Sequence, residues 1–272
     1  MKIATLISVY SGDNPIALAE ALDSVLGQKL NSGVESNLYV AVDGPVNAEI
    51  EQVIKDREDQ IFHLQRIEHN QGLATALNLL IKHLGDEEFV FRMDADDYSH
   101  ITRYQIQLDY FEQHPRIDIL GTDIIEVDVS SGVRRQVGFC RGPDDALEKL
   151  CQRVPVAHPT VCFRRHVLDH VGGYPCAGTN EDIALWFECA REGFKFDNVP
   201  RPLLEFTVTP NFWCRRSYGK AFAELYCYTA GIWSIHGVTW KYVFPFLRFV
   251  LRISPIWISR LVYSSSLRNR SR

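Results

Sequence analysis

Residues 89–97 read Phe89-Val90-Phe91-Arg92-Met93-Asp94-Ala95-Asp96-Asp97, a short, mostly apolar run that passes without a break into three carboxylates. The run has the length and apolar content of a buried strand, so the acids stand at its carboxyl end. Three carboxylates there repel one another unless something cationic neutralises them. Alternation puts Asp94 and Asp96 on one side of the chain. A hard divalent ion such as Mn2+ or Mg2+ takes oxygen ligands and can bridge to a diphosphate, which makes Asp96 and Asp94 candidate metal ligands. A solvated acidic turn leading into the next helix has the same composition, and a lone Asp-x-Asp does not separate the two. A calcium loop fits poorly, because Ser99 occupies the turn-glycine position and Gln105 the closing-glutamate position.

Working back from that stretch, short apolar runs alternate with helical patterns. Ile3 to Tyr10 reads as a buried strand, and Asp13-Asn14-Pro15 supplies a helix start with proline at the first helical position. Leu18, Ala21, Leu22, Val25 and Leu26 follow at helical spacing. Asn37 to Val42 predicts a second strand, stopped by Asp43-Gly44-Pro45, and Asn47 to Glu58 a polar helix. A short strand lies near His63 to Glu68, Asn70-Gln71-Gly72 punctuates, and Leu73, Leu77, Leu80, Ile81 and Leu84 mark another helix. This alternation implies an α/β fold with right-handed crossovers and a mainly parallel sheet flanked by helices. Ligands of such sheets bind beyond the carboxyl ends of the strands. Tyr10-Ser11, Asp43-Gly44 and Asp94 to Asp97 all fall there, which points to a nucleotide-sized site.

Downstream the pattern loosens. Asp118 to Val129 alternates like a strand, with Arg134 to Phe139 placed to pair with it across Ser130-Ser131-Gly132. Asp144 to Gln152 and Asn180 to Glu192 read as helices, and Pro159 to Arg164 as extended. The organisation expected is a regular α/β half over 1–115, a less regular half over 116–210 and a helical, basic tail over 211–272.

Charge separates that tail from the rest. The chain has 272 residues, 29 Lys and Arg, 34 Asp and Glu, and a formal net charge of −5. After Glu224 there is no acidic residue, while Lys241, Arg248, Arg252, Arg260, Arg268, Arg270 and Arg272 are basic. The first 224 residues therefore carry a net −12, which argues against a nucleic-acid binder. Leu225 to Trp240 is only 16 residues long before Lys241, short of the ~20 apolar residues that a spanning helix needs. Lys241, Arg248 and Arg252 are spaced to share a helical face, which suits a membrane interface where cations meet anionic lipids. A helical cap packed on the body has the same amphipathic pattern. Seven cysteines without a Cys-x-x-Cys pair fit neither a zinc site nor a disulfide framework and agree with a reducing cytoplasm.

Six blocks, in order, carry a family resemblance. They are Ile7-Ser8-Val9-Tyr10 with Ala21 to Gln28 and Val42-Asp43-Gly44; Asn70-Gln71-Gly72-Leu73-Ala74-Thr75-Ala76-Leu77-Asn78; Arg92 to Asp97; His158-Pro159-Thr160-Val161 with Arg164-Arg165; Gly172-Gly173-Tyr174; and Glu181-Asp182-Ile183-Ala184-Leu185-Trp186. Over roughly residues 3 to 206 the chain resembles the family 2 inverting glycosyltransferases. The resemblance implies a GT-A fold, Rossmann-like, with a nucleotide-sugar-binding half over 1–115 and an acceptor-binding half over 116–210. It implies that Ser8, Val9, Tyr10 and Asp43 line the base and ribose pocket, with Asp43 accepting a hydrogen bond from uracil. Asn70, Gly72, Asn78 and Arg92 belong to its donor-side blocks, and His158, from the acceptor-side pattern, is placed toward the donor phosphates or the acceptor, with a packed structural histidine as the plain alternative. Asp94 is placed near ribose or metal, Asp96 on the Mn2+ or Mg2+ ion, Asp182 as general base and Glu181 beside it orienting the acceptor. The donor implied is a UDP-sugar. The acceptor implied is a saccharide on a polyprenyl diphosphate, as in O-antigen or exopolysaccharide assembly, met at the inner face of the cell membrane.

The chemistry suits these residue types. A departing nucleoside diphosphate gathers negative charge that a cation stabilises, and an acceptor hydroxyl needs a carboxylate to take its proton. Asn180-Glu181-Asp182 also suits a plain helix N-terminus capped by Thr179. One departure stands out: where many relatives carry an aromatic–arginine pair, Glu205-Phe206 is followed by Thr207. His166 and His170 lack a third ligand, Trp186 reads as core, and Arg164 and Arg165 as a strand end within reach of a diphosphate. Two other readings are a non-catalytic sugar-binding protein, which needs no paired Asp96 and Asp182, and a sugar nucleotidyltransferase. The latter calls for a glycine-rich loop where Tyr10-Ser11-Gly12-Asp13-Asn14 stands.

Overall fold

The computed structural model describes residues 1–175, 180–209 and 218–254. The first half runs β1 (Lys2–Tyr10), α1 (Pro15–Leu26), β2 (Glu35–Asp43), α2 (Ala48–Lys55), β3 (His63–Ile67), α3 (Leu73–Ile81) and β4 (Phe89–Met93). Local chemistry sets the helix starts. The Asn14 side chain accepts from the amides of Ile16 and Ala17 at 2.9 and 3.1 Å with Pro15 next, and Asn47 accepts from the Ile50 amide at 2.8 Å, each relieving an orphan donor of the first turn. The polar helix predicted over 47–58 ends at Lys55, with a separate 3-10 turn at Glu58–Gln60.

The second half runs β5 (Tyr98–Ser99), α4 (Arg103–Gln113), β6 (Ile119–Asp128), β7 (Arg134–Val137), α5 (Gly142–Lys149), β8 (Cys162–Arg164), α6 (Arg165–Val171), α7 (Glu181–Arg191) and β9 (Phe196–Val208). Two further described helices follow, α8 (Tyr218–His236) and α9 (Val243–Ile253). Among the described residues the strands form one 9-stranded sheet, ordered β3-β2-β1-β4-β8-β6-β9-β5, with β7 beside β6. β1, β2, β3 and β4 pair in parallel, as do β6 and β9, whereas β8, β7 and β5 join antiparallel. The extended run predicted over 159–164 is in part a 3-10 turn, His158–Thr160, because the Thr160 amide and hydroxyl both donate to the Ala157 carbonyl at 2.9 and 2.8 Å.

Strand alternation feeds two cores, one on each face of the sheet. Ala4, Leu6 and Val90 join Leu77, Leu80 and Trp186, while Ile3, Ile7, Val9, Phe91 and Met93 meet Leu18, Leu22 and Leu108. Trp186 is fully buried, the core residue expected, and stacks on Phe163 while meeting Phe196 edge-on. Arg164 donates to the Ile117 and Phe111 carbonyls at 2.8 and 3.0 Å, and Arg165 pairs with Asp169. Neither faces the acidic cluster. His166 and His170 pair with Asp118 and Glu192.

The tail docks on the body through α8. A Cβ on Gly231 would come within 2.2 Å of the Phe187 ring, so only glycine lets α8 approach α7 this closely. Arg248 and Arg252 of α9 both turn inward onto Glu224, which is 3% exposed. They are therefore not on the outward cationic face that their spacing suggests. That face is apolar instead: Phe246, Leu247 and Val250 are 53–58% exposed. Among the described residues, no helix is long and apolar enough to cross a membrane.

Candidate active site

The parallel register brings three strand ends together. Tyr10 lies opposite Asp43 and Ile7 opposite Met93, so Tyr10, Asp43 and Asp94 emerge side by side from β1, β2 and β4. Of the residues expected on β1, Tyr10 is 37% exposed with its ring folded over Gly12, where an added Cβ would meet it at 2.5 Å. Ser8 is half-buried. The Val9 side chain is wholly buried in the core, so only its backbone faces the strand ends.

Asp43 is 3% exposed and ties β2 to the start of α3. Its two carboxylate oxygens accept from the amides of Gln71 and Gly72 at 2.7 and 2.8 Å. Asn70 donates from its side chain to the Asp43 carbonyl at 3.1 Å. Gly72 and Gly44 have φ of 88° and 86°, left-handed values that favour glycine, and a Cβ on Gly44 would lie 2.7 Å from the Asn70 nitrogen. Asn78 lies further from the strand ends. Its amide forms a reciprocal pair with the Tyr174 backbone, both distances 2.7 Å, so it braces the Gly172-Gly173-Tyr174 turn.

Asp94, Asp96 and Asp97 each offer a carboxylate oxygen, all within 4.8 Å of one another. These are hard oxygen donors of the kind that Mn2+ and Mg2+ take. The three are not equivalent. Asp94 is partly exposed and ion-paired with Arg92, whose side chain is only 2% exposed. Asp97 is 2% exposed and accepts the Thr207 amide at 2.9 Å, while the Thr207 hydroxyl donates to the Asp96 carbonyl. Burial pushes the Asp97 carboxyl up, and the neighbouring Asp94 and Asp96 charges add to it. Behind the loop lies Arg103, fully buried, its Nη2 donating to the Arg92 carbonyl at 3.1 Å and its Nε to Gln107 at 2.9 Å.

Asp182 stands in the first turn of α7, beside Glu181. Burial, and then the Glu181 charge, push its carboxyl up to about 6 from the ordinary 3.8, with Arg92 pulling the other way. Its Oδ1 accepts the Ile183 amide at 2.8 Å. Asn180 precedes the helix at φ 82°; Thr179, expected as the cap, lies outside the described residues. His158 shares a 2.9 Å hydrogen bond with the Tyr174 hydroxyl and meets Trp186 edge-on. Burial, helped by Arg92, holds its imidazole well below the usual histidine range, which makes it a neutral hydrogen-bonding group. Arg92 is thus common to the acidic loop and the Asp182 pocket.

Sequence reasoning missed Thr207 and Arg103. Arg103 sits in a polar helix start, and nothing in its spacing shows that it turns under β4. Thr207 was visible only as the place of a missing arginine.

The family model described as glycosyl transferase family 2 matches residues 7–172. An uncharacterized glycosyltransferase of Haemophilus influenzae is 30% identical over 98% of this chain and 100% of its own length. A UDP-Gal:alpha-D-GlcNAc-diphosphoundecaprenol beta-1,3-galactosyltransferase of Escherichia coli is 28% identical over 75% of this chain and 73% of its own. Among solved structures, S. aureus TarS 1-349 in complex with UDP-GlcNAc superposes with a TM-score of 0.70 at 16% identity, over 93% of this chain and 71% of that one. The Pyrobaculum calidifontis mannosyltransferase PcManGT, in complex with GDP-Man and Mn2+, gives a TM-score of 0.59 at 15% identity over 96% and 78%. These two share the fold. With more than half of its length matched by the family model, the chain belongs to glycosyl transferase family 2.

Proposed function

We propose that this glycosyltransferase moves a sugar from a UDP-sugar to a hydroxyl of a saccharide acceptor carried on a polyprenyl diphosphate, by metal-assisted single displacement with inversion. The observation that carries this reading is the pairing of two unlike acidic sites. A cluster of carboxylates backed by Arg92 lies beside a desolvated carboxylate, Asp182, held at about 6. The first suits a divalent ion and a diphosphate, and the second suits a proton acceptor.

In this reading the ends of β1 and β2, with Tyr10 and Asp43, receive the nucleoside, and the α3 start with Asn70 and Gly72 shapes the pocket wall. Asp96 and Asp94 would hold Mn2+ or Mg2+, which supplies Lewis-acid stabilisation of the diphosphate. Asp182 takes the proton of the acceptor hydroxyl, a group-specific task that contributes roughly 10²–10⁴-fold, and Glu181 orients the acceptor. His158, neutral and bonded to Tyr174, keeps the wall between the sites in place. The proposed division of the chain is donor binding over 1–115, acceptor binding over 116–210 and membrane contact over 211–272.

The donor and acceptor classes draw support from the E. coli relative, whose name states UDP-Gal and GlcNAc-diphosphoundecaprenol, and from relatives named for amylovoran and O-antigen biosynthesis. Membrane contact at the inner face of the cell membrane draws support from the exposed Phe246, Leu247 and Val250 of α9 and the absence of acids after Glu224.

The test is nucleotide release from UDP-, GDP- and dTDP-sugars with a synthetic lipid-diphosphate-GlcNAc acceptor, with Mn2+, Mg2+ or EDTA. Turnover of one UDP-sugar, lost with EDTA, is the result expected. Turnover unaffected by EDTA overturns the metal, and binding of no nucleotide sugar overturns the catalytic reading in favour of a sugar-binding protein.

A further inference from the structure

Thr207 touches both the Asp96 carbonyl and the Asp97 side chain, and it reaches them from β9, 111 and 110 positions away. Its amide donates to the Asp97 Oδ1 at 2.9 Å, and its hydroxyl donates to the Asp96 carbonyl. The contact is extended by the short β5–β9 pairing, in which Tyr98 faces Glu205 and Ser99 faces Leu204. On the other side Asp94 is held by Arg92. Arg92 is 2% exposed, and its Nε and Nη1 have no hydrogen-bond partner among the described residues. Buried donors of that kind are met by an oxygen-bearing group, as a nucleoside diphosphate would bring.

Resting on the metal-assisted reading above, we propose that Thr207 and Asp97 form a clamp that positions the acidic loop for its cation, with Asp97 as an anchor of that loop and not a ligand. The physical argument concerns direction. A carbonyl fixed by a hydroxyl fixes its peptide plane, and the plane sets where the Asp96 side chain leaves the backbone. Asp97 is the most buried of the three acids, and one of its oxygens already accepts a backbone N–H. An ion, by contrast, must be approached from the open side of the loop, where Asp94 and Asp96 are only partly buried. The clamp also gives a role to the position where the sequence departs from the aromatic–arginine pattern of its relatives.

The experiment measures Mn2+ binding to the full chain in the presence of UDP, by titration with electron paramagnetic resonance of the free ion. Melting temperature and UDP affinity in EDTA are followed in parallel. Thr207→Val removes the hydroxyl at nearly constant volume, and Thr207→Ser keeps it. The expected result is a roughly 3- to 10-fold loss of Mn2+ affinity for Thr207→Val, the size of one net hydrogen bond, with Thr207→Ser close to wild type. Asp97→Asn keeps the oxygen that accepts from Thr207 but loses the charge. An anchor retains Mn2+ binding in Asp97→Asn, whereas Asp96→Asn abolishes it. Equal loss in Asp97→Asn and Asp96→Asn makes Asp97 a ligand and overturns the proposal. Unchanged affinity in Thr207→Val alongside metal binding by wild type overturns the clamp alone. Wild type that takes up no Mn2+ overturns the metal reading and the clamp together.

Discussion

The acidic loop after β4 and the start of α7 both present carboxylates to the same neighbourhood, yet their surroundings push them toward opposite tasks. Asp94 rests against the Arg92 guanidinium, so its negative charge is balanced from behind. Asp182 is desolvated, its nearest charged neighbour is another acid, and its carboxyl rises to about 6. A carboxylate held in an ion pair presents its oxygens from a fixed position. A carboxylate that resists ionisation has the raised affinity for a proton that a general base needs. What separates them is less the residue type than which neighbour stands closer: Arg92 contacts one directly and reaches the other only as a minor opposing influence.

The most forceful way to break this contrast is to remove the carboxylate proposed as the base. Asp182→Asn should lower kcat by roughly 10²–10⁴-fold while leaving UDP-sugar affinity intact, read by steady-state kinetics and calorimetry; loss of affinity in place of rate would move Asp182 to the donor site. Asp96→Ala should abolish the response of turnover to added Mn2+, checked by titrating metal into EDTA-treated enzyme. A retained metal response would place the ion elsewhere. The pH profile sharpens the contrast: kcat/KM should fall as pH drops through about 6, where Asp182 becomes protonated. Asp182→Glu, if active, should move that limb, whereas a limb unmoved by any change at 182 belongs to another group.

Stability should respond in the reverse sense. The folded value of Asp182, about 6, lies above its ordinary 3.8, so the folded chain holds this proton more tightly than the unfolded chain does. That stabilisation is complete below the ordinary value and is lost as pH rises through about 6. Asp182→Asn should therefore raise the melting temperature at pH near 8 and change it little at pH near 4; an equal shift at both would point to packing. The smallest effect on chemistry should come from Gly231→Ala. Its Cβ would meet the Phe187 ring at 2.2 Å, an overpacking that costs about 1–3 kcal/mol. Denaturant unfolding would show the loss, and activity should fall only as α7 is displaced.

The contrast between the two acid sites also marks what the sequence could tell. Local signals recovered the first half: Asn14-Pro15, Asp43-Gly44 and the apolar runs set β1 to β4 and their helices with boundaries displaced by a few residues. These elements are consecutive, so short-range rules suffice. The second half depends on pairings between distant segments, such as β6 beside both β8 and β9, which periodicity does not encode. Pro159 and Thr160 read as extended, yet the Thr160 amide and hydroxyl hold a turn onto the Ala157 carbonyl. In the site, Asp94, Asp96 and Asp182 could be named from their residue types and block order. That Asn78 braces a turn, and that Arg248 and Arg252 face Glu224 and not the outside, follows only from tertiary contacts. The task of Thr207 could not be read, because a hydroxyl bonded to a carbonyl some hundred residues away leaves no pattern in the chain.

The sheet order has a consequence for how the chain assembles. β4 is bordered by β1 on one side and by β8 on the other, and β8 is not made until residue 164. During synthesis the four parallel strands can gather as they emerge, but the outer edge of the apolar β4 stays open for some seventy further residues, which take roughly 4–14 seconds at cellular rates. An unpaired apolar strand edge is a template for mispairing with another chain. The strand that delivers the acidic loop is thus the last of its group to be closed. Substitutions in Cys162–Arg164, remote from the reacting groups, should appear first as lost soluble yield, with specific activity intact in the molecules that close.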